Sequence, residues 1–219
     1  GMTKLEIANY VGEKVHSTDS DSIAVFKQFV DRRYEMIWNA ELWRESMGTY
    51  STSVSSGTSV IDLTVEMDFP VSAYWDEREI TPVDYQRVFQ INPALLDESG
   101  TPTDFIVLSK SVSASGTRPR IQLIRVPNET KTLLVLGKLV VTPLTDNDSP
   151  TISGIDNALV TYVEADALEY LQQYAKAQAK LQEAGAHMQL MRDMEKNQSA
   201  RMIQVVPDVE VAWTQNDFR

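Results

Sequence analysis

Apolar and polar positions divide the chain into three stretches of different texture. Leu5, Ala8, Val11 and Val15 recur at three- and four-residue steps behind Thr3, a ready N-cap, which predicts a short helix over 3–16. Ser17-Thr18-Asp19-Ser20-Asp21-Ser22 follows as a polar turn rich in capping side chains. Next, Ile23, Phe26, Val30, Tyr34, Ile37 and Trp38 repeat on one side of a helix, with Lys27, Asp31, Arg32 and Glu35 mainly on the other. That helix is predicted to run to about Trp43, so residues 1–45 read as a helical hairpin with one shared apolar seam.

From Ser46 the texture becomes that of strands, rich in Thr, Val and Ile. Thr49–Val54 and Ser59–Val65 are expected to form a hairpin about Ser55-Ser56-Gly57, closed off by Asp68-Phe69-Pro70. Val71–Ile80 is a further strand, and Pro82–Gln90 a short helix with proline in its first turn. Three more strands are predicted at Asp104–Lys110, Arg120–Val126 and Thr132–Thr142, the last two joined by a turn at Pro127-Asn128-Glu129-Thr130.

After the polar loop Asp146-Asn147-Asp148-Ser149-Pro150, helix formers dominate to Ala200 without a proline. Unbroken, such a helix would be about 65–70 Å long, too long for a compact domain of this size, and Gly185 is the expected place for a break or bend. Met202 to Trp213 (Val205, Val206, Pro207, Val209, Val211) is extended in character. The expected class is α+β: an N-terminal helical hairpin (1–45) and long C-terminal helices (151–201) forming a bundle, with an inserted antiparallel β unit carrying a short helix (46–150). An extended tail completes the chain (202–219).

Composition narrows the classes. With 219 residues there is material for a substantial core. No cysteine is present, which excludes disulfides, thiolate metal sites and cysteine nucleophiles and fits a reducing compartment. The N-terminus has no apolar signal core, Gly1 before Met2 reads as a cleavage scar, and no stretch is apolar for long enough to span a membrane. The net charge of −11 is spread along the chain, leaving no basic stripe for nucleic acid and no affinity for anionic membranes. A cytoplasmic product is expected.

Candidate chemistry is sparse. His16 and His187 are the two histidines, each read as a surface or terminal side chain. Asp19-Ser20-Asp21 and Asp146-Asn147-Asp148 offer oxygens at alternate positions, yet neither continues into a calcium loop, and capping and turn formation account for both. Glu164, Asp166 and Glu169 read as the solvated side of a helix, Arg118, Arg120 and Arg125 as a solvated cluster, and Trp38/Trp43 with Tyr162/Tyr170/Tyr174 as core or interface. No catalytic, cofactor-binding or metal-binding residue is assigned, and the chain is expected not to be an enzyme.

The order of elements carries a resemblance. Tyr34-Glu35-Met36-Ile37-Trp38-Asn39-Ala40-Glu41-Leu42-Trp43-Arg44 leads at once into the β unit, which contains Asp68-Phe69-Pro70, Ile80 leading into Tyr85, and Gly100-Thr101-Pro102-Thr103-Asp104-Phe105. Thr142-Pro143-Leu144 then leads through a polar loop to the helix Leu159–Ala184. This succession, over roughly residues 5–200, resembles the head-to-tail connector (adaptor) proteins of tailed bacteriophages and prophages. The resemblance implies a virion structural protein, present in the host cytoplasm during assembly. It also implies a homo-oligomeric ring, commonly of twelve copies, between portal and tail proteins, with DNA passing through it unread. The alternatives are another neck or tail-completion protein, and a hydrolase or binding module with an acidic pocket in the β region.

Overall fold

A computed structural model describes the backbone of residues 1–113 and 116–216 and the side chains of 1–108 and 118–197. The chain divides into two compact units, one built from residues 1–45 and 142–219, the other from 46–141.

In the first unit, α1 (Lys4–Lys14), α2 (Ser20–Ala40), α4 (Asp156–Tyr170) and α5 (Tyr174–Asn216) pack on one another. Helix α4 is central, touching α1, α2 and α5, and Ala158, Ala165 and Ala167 among its buried residues let those neighbours approach closely. Thr3 caps α1 through Glu6 N–H, and two further first-turn donors are met by a loop, Lys4 N–H by the Asp148 carbonyl at 3.0 Å and Leu5 N–H by that of Asp146 at 3.1 Å. Asp19 caps α2, accepting from Ser22 N–H at 3.1 Å and Ser22 Oγ at 2.7 Å. The buried stripe of α2, Phe26, Val30, Tyr34, Ile37 and Trp38, follows the predicted face.

The break between the long helices lies at Leu171–Gln173, not at Gly185. Gln172 turns left-handed (φ 62) and Gln173 N–H reaches back to the Leu168 carbonyl at 2.9 Å. His16 closes α1 the same way (φ 58), with Ser17 N–H on the Gly12 carbonyl at 2.9 Å. Gly185 lies within α5, where an added Cβ would meet nothing within 4 Å. Nor is the tail extended from Met202, because α5 continues as helix through Asn216, each turn propagating from the last. Residues 217–219 lie outside the described ones.

The second unit overturns the expected bundle with an inserted antiparallel β unit. Its strands are β1 (Met47–Val54), β2 (Val60–Asp62), β3 (Met67–Trp75), β4 (Arg78–Pro82), β6 (Asp104–Ser113), β7 (Gly116–Ile124) and β9 (Lys131–Leu139). They form one seven-stranded sheet, order β1-β9-β3-β4-β6-β7-β2, curled so far that β3 packs across on β7 in a nearly closed, barrel-like unit. The sheet is mixed, since β4 and β6 run parallel, and the short β5 (Ser99–Gly100) and β8 (Val126–Pro127) pair in parallel as a separate two-stranded sheet. The expected hairpin of Thr49–Val54 with Ser59–Val65 is absent, and the strands on either side of Pro127-Asn128-Glu129-Thr130 do not pair with each other. β1 pairs with β9 and β2 with β7, while β6 and β7 form the hairpin that local reading missed. The stretch read as one strand, Val71–Ile80, instead folds at Asp76-Glu77 (φ 47 and 69), the two-residue turn whose twist suits paired strands. Asp68-Phe69-Pro70 lies inside β3 among bulges, where a proline within a sheet is tolerated.

Inside the curl, Trp75, Ile80, Phe105, Leu123, Leu133 and Val135 belong to the core. The next residues along, Ile106 and Ile124, face the other way and meet Val88 of α3 (Tyr85–Ile91). Helix α3 starts at Tyr85 behind Asp84, since Pro82 ends β4 rather than opening the helix.

Two glycines give opposite outcomes. A Cβ on Gly137 of β9 would press on Met67 Sδ and lie 2.7 Å from the Phe69 carbonyl, so Gly137→Ala is expected to destabilise the protein by about 2–3 kcal/mol. Gly185→Ala is expected to stabilise it by about 0.5–1 kcal/mol. Urea unfolding of both variants measures the signs.

Acid sensitivity follows from the caps. Hydrogen bonds from Ser22 hold the Asp19 carboxyl below its ordinary 3.8, and those from Thr145 lower Asp148 likewise. A lowered folded-state value stabilises above the unfolded value, and that contribution is lost as pH falls through the folded one. Asp19→Asn, which keeps the cap without the proton uptake, is expected to flatten the loss of stability below about pH 4, read from urea midpoints along a pH series.

Candidate functional site

Of the residues singled out in sequence, the histidines, the two acidic clusters, the arginines and the tryptophans scatter through the fold. His16 ends α1, and His187 on α5 lies 3.8 Å from Glu183 one turn away. Asp19 is occupied as a cap, while Asp146 pairs with Lys27 at 2.9 Å and Asp148 accepts from Thr145 N–H at 2.9 Å. Arg120 pairs with Asp62 at 2.7 Å and Arg125 with Glu98 at 3.4 Å. Trp38 and Trp43 are core, Trp43 Nε1 donating to the Ile37 carbonyl at 2.6 Å. Among the described residues, no group of three or more His, Asp or Glu side chains is placed to hold a metal ion.

One region does gather interaction-prone side chains. Phe29, Arg32, Arg33 and Met36 of α2, Asp166, Glu169 and Tyr170 of α4, and Tyr174 at the start of α5 line an open groove in the helical unit. Phe29, Arg32 and Met36 stand three and four residues apart, so they share a face of α2. The core stripe of that helix lies on another face.

The floor of the groove is fixed. Arg33 clamps Asp166 with two bonds of 2.7 Å and stacks over the Tyr162 ring at 4.7 Å. Its bond to Asp166 raises the guanidinium pKa further, so the charge is permanent. Tyr170 packs edge-to-face against both Phe26 and Phe29, which are tilted at 31° to each other, with centroids 6.1–6.3 Å apart, and this cluster orients the wall.

The rim is open. Tyr174 is 64% exposed and Tyr170 48%, Met36 is exposed, and Arg32 is held over the Phe29 ring at 5.8 Å with its charge toward solvent. Tyr, Arg, Met and Phe are the side chains enriched where proteins meet, because they join large apolar area to a polar tip. The tyrosines were legible in sequence as core or interface, whereas Phe29 and Met36 were not singled out. Their seven-residue spacing off the main apolar stripe of α2 is the signal that marks them.

No known protein family model matches the chain, and no curated protein does.

Proposed function

We propose that the chain is a structural subunit of a phage head–tail connector, assembling through its helical unit into a ring between portal and tail proteins, through which DNA passes unread. The observation that carries this reading is the groove of Phe29, Arg32, Met36, Tyr170 and Tyr174, an assembled set of contact-forming side chains with a rigid floor and an open rim. The order of elements resembling connector proteins supports it from the side of sequence. The occupant of the groove is a neighbouring copy. Arg32 presents a cation to solvent, and a chain with 31 acidic against 20 basic side chains supplies the acidic surface it suits. In this reading the protein turns over no substrate and belongs to the virion, after assembly in the host cytoplasm.

Light scattering over a concentration series, with electron microscopy of the largest species, tests the reading. A closed ring is the expected product, formed alone or on addition of a portal. A monomer at every concentration that also fails to bind portal would exclude the proposal. Arg32→Glu combined with Tyr174→Ala is expected to weaken assembly by at least about a hundredfold, the size of a hot-spot loss. Both side chains are exposed, so urea unfolding of the monomer should move by less than about 1 kcal/mol.

A further inference from the structure

The sheet of the β unit ends on one side in a strand with none of the usual protections. β1 pairs with β9 through eight consecutive residues without a bulge, and no strand among the described residues lies on its other side. Its sequence, Met47-Gly48-Thr49-Tyr50-Ser51-Thr52-Ser53-Val54, holds no charge and no proline. Edge strands are ordinarily kept short, charged, bulged or interrupted by proline, because their free N–H and C=O groups invite another strand. The opposite edge, β2, obeys that rule, with three residues and the charged Asp62. Along β1, Thr49, Ser51 and Ser53 are exposed on the outer face, while Tyr50 and Thr52 on the core side are only partly buried.

The complementary pattern lies at the far end of the chain. From Pro207 to Val211 apolar and acidic positions alternate (Pro207, Asp208, Val209, Glu210, Val211), and Val205, Val206, Ala212 and Trp213 flank them as apolar residues. The period of two belongs to a strand, yet the backbone there is the last part of α5. Pro207 removes one helical hydrogen bond and crowds the preceding turn, and the valines are poor helix formers. The Ala-, Gln- and Lys-rich start of α5 carries no such conflict. Disagreement between local pattern and adopted structure marks a segment with a second use.

We infer that residues 205–213 of one copy add as a strand to the β1 edge of a second copy. Asp208 and Glu210 then share the outer face with Thr49, Ser51 and Ser53, and Val209, Val211 and Trp213 cover Tyr50 and Thr52 on the core side. Pro207 is accommodated because the added strand is itself an edge. The donor and acceptor surfaces differ, so the contact runs head to tail and can propagate from copy to copy. The pairing goes beyond the connector reading and stands without it, since it requires neither a virion nor a closed ring.

The absence of cysteine allows a direct test in the full-length chain. Ser51→Cys protein is mixed under mild oxidation with protein carrying one cysteine at 208, 209, 210 or 211. Strand pairing is expected to give disulfide-linked dimers at 208 and 210 several-fold above 209 and 211, because the first two share the face of Ser51. Adding Ser53→Glu to the Ser51→Cys partner, on an exposed position, should cut the yield severalfold by setting a like charge beside Asp208 and Glu210. Equal yields at all four positions, or no dimer, overturn the inference. An internal disulfide in the Ser51→Cys/Glu210→Cys double variant, with none between copies, overturns it as well. Ring formation without the alternating yields would refute the pairing alone, and alternating yields without a ring would leave the pairing standing and count against the connector.

Discussion

The β unit depends on one backbone constraint, that its last strand must be paired on both sides. β9 takes β1 on one flank and β3 on the other, while Leu133 and Val135 point into the core with no measurable exposure. Its pairing with β1 joins residues as far apart as Met47 and Lys138, so the sheet cannot form until nearly the whole unit has been made. Gly137 follows from this position. A strand pressed between two others, with the bulged β3 riding over it, leaves no room there for a methyl group.

The helical unit is held by a different kind of constraint. α4 is buried on much of its surface, so the polar groups it turns inward must be answered. Asp166 is met by the two-pronged grip of Arg33, and Thr161 by the Asn157 carbonyl at 2.7 Å. The Arg33 grip ties α2 to α4 directly below the groove. The rim can therefore consist of exposed aromatic and sulfur-containing side chains without loosening the helices beneath.

The sequence disclosed what is local. The caps at Thr3 and Asp19 and the buried stripe of α2 were readable because each depends on residues within two turns. Strand partners were not, because pairing is non-local. Val60–Asp62 looks like the mate of β1 across a short turn, yet its neighbour is β7, some sixty residues on. The helix break was missed because it rests on Gln172 in a left-handed conformation, which no glycine announces. Of the candidate site, the aromatic content was visible, but the meeting of Phe29 and Met36 with Tyr170 and Tyr174 needed the packing of α2 on α4.

The length of α5 has a mechanical consequence. Its 43 residues span about 64 Å at 1.5 Å per residue. Over such a length, small angles become large displacements. A tilt of about 5° at the Gln172 turn displaces the far end by about 5 Å, close to the spacing between adjacent strands. Small adjustments where α4 meets α5 are thereby magnified into steps the size of a strand at the other end of the helix.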